Sequence, residues 1–189
     1  MKAAILPSAS LPVVLRTLVA AAFTISFSLS LSAQQPVSSS VSVQRAAMLK
    51  LSFLTGRWSG PITITPGPGE PLHLIQTEDV EYELDGLVLL IEGKSTDANG
   101  KVLFSALATI AYDDASHTYH FRAYNGGHYL DTELSVPAEG FAWGFATGPA
   151  HIENAMRLTD KGEWDESTQV TVGSNPPHRT MEMLLHRLP

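Results

Sequence analysis

The sequence predicts an all-β protein, an up-and-down antiparallel β-barrel of about ten strands with a short N-terminal helix, and three observations carry that expectation. From Trp58 onward the chain is a series of short runs in which apolar and polar residues alternate, and no later segment sustains a helical period. Turn formers punctuate the runs: Asp85-Gly86, Asn99-Gly100, Gly126-Gly127 and Lys161-Gly162 tolerate positive φ, and Gly148-Pro149 and Asn175-Pro176-Pro177 break the remainder. Ten such runs fit within about 130 residues, and closing them into a barrel removes the exposed edges that an open sheet would keep. A two-sheet sandwich is the alternative. The runs are 57–65, 72–84, 87–96, 101–112, 117–125, 128–136, 139–147, 150–159, 163–172 and 178–187.

Ahead of the barrel, residues 1–33 follow a different grammar. Lys2 and Arg16 are their only charges, an apolar stretch runs over 17–31, and Leu31-Ser32-Ala33 suits signal peptidase, so cleavage before Gln34 is expected. The apolar run is shorter than the ~20 residues of a spanning helix and serines interrupt it, so no stable membrane anchor is expected after cleavage. Without cysteine there is no lipoprotein anchor either. The expected location is the periplasm or outside the cell. Residues 34–44 are Ser, Gln and Val without charge and predict a flexible linker. Residues 45–54 predict a short helix with Ala47, Met48, Leu51 and Leu54 on one face, a first strand being the other option. The barrel domain is then 45–189.

Without Lys2 and Arg16 the remainder holds 10 basic against 19 acidic residues, a net charge of −9. That balance disfavours nucleic acid, which needs a basic face, and an anionic membrane surface for the same reason. The absence of cysteine excludes a disulfide framework, a thiolate metal site and a cysteine nucleophile.

Side-chain phase can be carried from strand to strand, because a hairpin with an even loop pairs residues whose numbers sum to an odd value, and paired residues share a face. On the second strand the even positions Leu74, Gln76, Glu78, Val80, Tyr82 and Leu84 are the more apolar set and point inward. A two-residue turn at Asp85-Gly86 pairs Leu84 with Leu87 and brings in Leu89 and Ile91, and the next turn brings in Phe104, Ala106, Ala108, Ile110 and Tyr112. The phase continues through Tyr119, Phe121 and Ala123, through His128, Leu130, Thr132 and Leu134, and through Phe141, Trp143 and Phe145. Ile152, Asn154, Met156 and Leu158 follow, then Trp164, Glu166, Thr168, Val170 and Val172. The last strand offers either Met181, Met183, Leu185 and Arg187 or Glu182, Leu184, His186 and Leu188, and the first set places three apolar residues inside.

Polar groups on an inward face need a partner or a purpose. Gln76, Glu78, His128, Asn154 and Glu166 are those groups, with Tyr82, Tyr112, Tyr119 and Trp143 beside them as walls carrying a hydroxyl or indole. An apolar lining with a few converging polar groups suits a small hydrophobic or amphipathic molecule in the lumen. The same carboxylates, raised in pKa by a dry lumen, could instead work as acid and base, and a barrel packed solid would serve as a ligand-free interaction module. Arg122 and Asp131 fall opposite each other on the outer face as an exposed ion pair.

Metal is not expected. His117 and His120 are three apart on a strand and point to opposite faces, and His73, His151, His178 and His186 have no partner at ligand spacing. The chain has no G-x-S-x-G elbow, no H-E-x-x-H and no phosphate-cradling loop, since Gly67-Pro68-Gly69 leads into no helix. No cofactor follows from these residues.

The segment Phe53-Leu54-Thr55-Gly56-Arg57-Trp58-Ser59-Gly60 resembles the G-x-W motif that opens calycin barrels such as lipocalins and fatty-acid-binding proteins. The resemblance implies that Trp58 closes one end of the barrel under a basic residue of the last strand, a place that Arg187 occupies. The runs LDGLVLLIEG (84–93), YHFRAYNGG (119–127) and TMEMLLHR (180–187) are similar to an uncharacterised family of secreted bacterial proteins with a calycin-like fold, which implies fold and no activity. Nitrobindin, which resembles this chain in its G-x-W-x-G opening and expected strand number, binds haem through a histidine near its last strand. His178 and His186 lie there without a matching sequence context, so haem is an alternative ligand.

Overall fold

The computed structural model describes residues 37–189 apart from Pro68; the expected signal peptide and the first linker residues lie outside the described residues. Helix α1 (Val37–Met48) leads into a 3₁₀ segment over Leu49–Leu54. Ten strands follow: β1 (Gly56–Ile64), β2 (Leu72–Glu83), β3 (Val88–Thr96), β4 (Val102–Asp113), β5 (Thr118–Asn125), β6 (His128–Ser135), β7 (Gly140–Thr147), β8 (Ala150–Leu158), β9 (Trp164–Val172) and β10 (His178–Arg187). Each pairs antiparallel with its sequence neighbour, and β10 returns to pair with β1, so the sheet is a closed barrel rather than a sandwich.

The expected linker is helical from Val37 onward. Ser40 hydrogen-bonds Asp114, Gln44 Nε2 donates to Asp114 Oδ1 (2.9 Å), and Arg45 Nε donates to the Asp85 carbonyl (2.7 Å). These contacts tie it to the β4–β5 and β2–β3 turns. Met48, Leu51 and Leu54 are fully buried, as three of the four face residues of the expected helix.

The end of a helical segment leaves carbonyls without partners, and here the barrel supplies them. Tyr82 Oη donates to the Met48 carbonyl (2.6 Å), Tyr119 Oη to that of Ala47 (2.8 Å), and Trp58 Nε1 to that of Leu54 (2.7 Å). Arg187 lies 4.1 Å over the Trp58 ring and donates to the Thr55 and Phe53 carbonyls. Trp58 meets Trp164 edge to face at 5.6 Å, and with Leu89, Ile110 and Leu185 these residues fill one end of the barrel.

The inward phase runs unbroken along the whole circuit: Tyr82 pairs with Leu89, Leu89 with Ile110, Ile110 with Phe121, Tyr119 with Leu134, Phe141 with Met156 and Met156 with Glu166. Glu166 then pairs with Met183, which fixes Met181, Met183, Leu185 and Arg187 as the inward set of β10. The first residues of β10, ahead of the register shift between Arg179 and Met181, and Leu84 are exceptions. β2 and β3 pair only as far as Glu83 with Val88, and 84–86 form a tight 3₁₀ turn that leaves Leu84 at positive φ (50°) and exposed. The loop is therefore two residues longer than expected, which is still even, and the phase survives. Arg122 and Asp131 form the cross-strand ion pair on the outer face. Among the described residues no helix is long and apolar enough to cross a membrane.

Replacing Trp58 by Ala removes a fully buried ring and should cost about 3–5 kcal/mol in urea unfolding. Arg187→Ala, at an exposed position that loses two charged hydrogen bonds and the ring contact, should cost about 1–2 kcal/mol. An Arg187→Ala midpoint equal to wild type would remove the arginine from the closure.

Candidate functional site

Because α1 and the two tryptophans fill one end only, the rest of the lumen remains hollow as a cavity of about 680 Å³. Its walls are largely apolar, with Ile62, Ile91, Ala108, Phe121, Trp143 and Met183 among them. Trp143 is stacked between Phe121 (5.3 Å) and Phe145 (6.2 Å), which fixes the ring as a flat wall. At the end away from the helix the cavity is bounded by Phe104, Val172 and His178, all exposed, so it opens to solvent there.

Polar groups gather at the inner end. Gln76 Nε2 donates to Glu78 Oε1 (2.6 Å), and Ser95 Oγ donates to Gln76 Oε1. Across the lumen Trp164 Nε1 donates to Glu166 Oε2 (2.6 Å), and Asn154 Nδ2 to Thr168 Oγ1 (2.9 Å). Glu78 and Glu166 are each only 8% exposed. Glu78 Oε2 and Asn154 Oδ1 are buried without a hydrogen-bond partner among the described residues. Gly93 makes room for this group: a Cβ there would sit 2.8 and 2.9 Å from the Glu78 carboxylate oxygens and 3.1 Å from Gln76 Nε2.

Burial sets the charge state of the two acids. It pushes Glu78 up to about 8, against the lowering effect of the Gln76 hydrogen bond and with a further rise from the nearby Glu166. Burial also pushes Glu166 up to about 7, opposed by hydrogen bonds from Trp164 and Asn154. Near neutral pH Glu78 is therefore mostly protonated and Glu166 is close to its midpoint.

Of the expected site residues, Gln76, Glu78, Asn154, Glu166 and Trp143 come together on this cavity. Tyr82 and Tyr119 do not: their hydroxyls are spent on the helix carbonyls at the closed end, and Tyr112 packs on Tyr119 with its hydroxyl 3.4 Å from His117 Nδ1. They face inward as the phase requires, but the helix takes their end of the lumen. His128 is exposed at the first position of β6 and borders an outer depression with Lys94 and Tyr124 instead of the lumen.

Sequence reasoning missed Ser95 and Gly93, and it named His178 only beside His186 as an alternative haem ligand, without placing it on the lumen. The first two share the inward phase of Leu89 and Ile91, and only their small size hid them. His178 reaches the lumen through the register shift between Arg179 and Met181, which inverts the phase of the first residues of β10. Among the described residues no three His, Asp or Glu side chains are grouped to hold a metal ion.

The chain is similar in structure to Rv2717c from M. tuberculosis, with a TM-score of 0.57 and 16% identity over 76% of this chain and 98% of that one. That likeness shows the fold. No family model matches the chain, and no curated protein matches it.

The raised acids make stability depend on pH. The folded barrel holds protons on Glu78 and Glu166 that the unfolded chain, with ordinary values of 4.5, has released, so their contribution is full below about 4.5 and is lost as pH rises through 7 and 8. Urea unfolding should show a loss on the order of 6 kcal/mol between pH 5 and 9, flattened in Glu78→Gln and further in the Glu78→Gln/Glu166→Gln pair. A wild-type profile already flat over that range would mean that water reaches both carboxyls.

Proposed function

We propose that this barrel binds a small, partly apolar molecule in its lumen, the polar end of the ligand meeting Glu78, Asn154 and Glu166. The observation that carries the reading is the cavity itself, an apolar chamber of about 680 Å³ with two unpartnered buried polar atoms, Glu78 Oε2 and Asn154 Oδ1, at its inner end. A barrel serving only as an interaction module has no use for such a chamber, and filling it with side chains would stabilise the fold. Catalysis by the same two acids would be the enzymatic form of this reading, with a bound substrate in place of a stored ligand.

The test uses the neutral apolar fluorophore N-phenyl-1-naphthylamine. Ala106→Trp places an indole in the cavity, and Thr109→Trp places one on the outside of the same strand. The expected outcome is saturable binding that falls at least about tenfold in Ala106→Trp and stays unchanged in Thr109→Trp. Equal binding by all three proteins would place the probe outside the lumen and overturn the reading.

Haem is the second reading, favoured by one observation. His178, at the start of the last strand, is the histidine among the cavity-lining residues, and it stands at the open end. Titration with ferric haem should then give a shifted, saturable Soret band that His178→Ala abolishes. A band unchanged in that variant would dismiss His178 as the ligand.

A further inference from the structure

The reading of a lumen ligand leaves its chemistry open, and the donor and acceptor inventory of the inner end narrows it. Each side-chain nitrogen there already donates a hydrogen bond to the protein: Gln76 Nε2 to Glu78, Trp164 Nε1 to Glu166, and Asn154 Nδ2 to Thr168. What remains without a partner is oxygen, on Glu78 and on Asn154, in side chains more than nine-tenths buried. Among the described residues no lysine or arginine lines the cavity, and the titratable side chains there are Glu78, Glu166 and, at the open end, His178. With the acids ionised, a ligand that satisfies this end brings hydrogens and positive charge.

We propose that the barrel binds an amphipathic amine, its ammonium group seated against Glu78, Asn154 and Glu166 and its apolar body extending along Trp143 toward the open end. The proposal rests on the lumen-binding reading and specifies the ligand class. An ammonium carries three donors and no acceptor, the complement of two carboxylates and an amide oxygen. Out of water, charge-assisted hydrogen bonds of this kind are the stronger sort. The aromatic wall beside the acids can also face a cation, and the acidity of the whole chain attracts one.

Proton balance gives the proposal a signature. Near neutral pH the buried acids hold protons, and an incoming ammonium replaces them: an O–H bond of a carboxyl breaks, its proton leaves to solvent, and the carboxylate pairs with the N–H donors. Affinity for an amine must then rise with pH while the amine stays charged. A ligand recognised by the neutral acids as donors, such as a carboxylate, must show the opposite slope.

The experiment compares octylamine, octanol and octanoate, which share one tail, by displacement of N-phenyl-1-naphthylamine and by calorimetry in buffers of different ionisation enthalpy. The expected result is octylamine binding about tenfold or more tighter than octanol at pH 8, with octanoate weakest, affinity for the amine rising between pH 6 and 8, and protons released on binding. Glu78→Gln should reduce the preference for amine over alcohol, and Glu78→Gln/Glu166→Gln should abolish it, while octanol affinity persists and shows that both variants are folded. Equal affinities for amine and alcohol, or octanoate bound most tightly, would overturn the amine and leave lumen binding standing. Failure of all three compounds together with the fluorophore would instead remove the lumen reading itself.

Discussion

A closed sheet must bring its inward phase back onto itself, and every other feature of this protein depends on that condition. Ten antiparallel strands are joined by turns that preserve the phase, and when β10 meets β1 the pairs Trp58 with Arg187 and Ile62 with Met183 still share the inner face. A slip of one residue anywhere on the circuit would turn the remaining apolar set outward and draw acidic residues inward. The β2–β3 turn shows the tolerance of the rule: it is longer than expected, strains Leu84 into positive φ, and costs the inward face nothing because its length stays even.

Closure alone would give a tube, and the helix makes it a cup. The buried residues Met48, Leu51 and Leu54 enter one end, and barrel hydroxyls, an indole and a guanidinium meet the carbonyls that the helical segment leaves over. Polar atoms of Tyr82, Tyr119, Trp58 and Arg187 that face the lumen direction are thus satisfied by the plug, and the end that holds them carries no free chemistry. Glu78, Asn154 and Glu166 lie just beyond the plug, where the backbone of the helical segment does not reach. The unpartnered oxygens of Glu78 and Asn154 follow from that position.

The arrangement trades stability for a site. Two carboxyls in an apolar chamber raise each other's cost of ionisation and are held by one indole and two amides, with Gly93 kept small to admit them. Apolar side chains at positions 78 and 166 would pack more cheaply. The retention of acids there is the physical argument for a ligand, and the spent N–H groups around them are the argument for its charge.

Alternation and turn chemistry determined the barrel from sequence alone, to within about one residue at most strand ends, because period-2 patterning and glycine-containing turns are local properties that pairing only has to respect. The same alternation put Gln76, Glu78, Asn154 and Glu166 inside, since a residue's face follows from its number once the phase is set. Depth along the barrel was not legible. Phase says which way a side chain points and nothing of what fills the lumen at its level, so Tyr82, Tyr112 and Tyr119 read as ligand walls although the helix claims their end. Nor could sequence place His178 on the lumen, because a bulge is one unpaired residue in the ladder and leaves no periodic trace. The helix beginning at Val37 was equally hidden, since a serine-rich segment without an apolar stripe is helical here through its contacts with the barrel, and those contacts exist only after the sheet has closed.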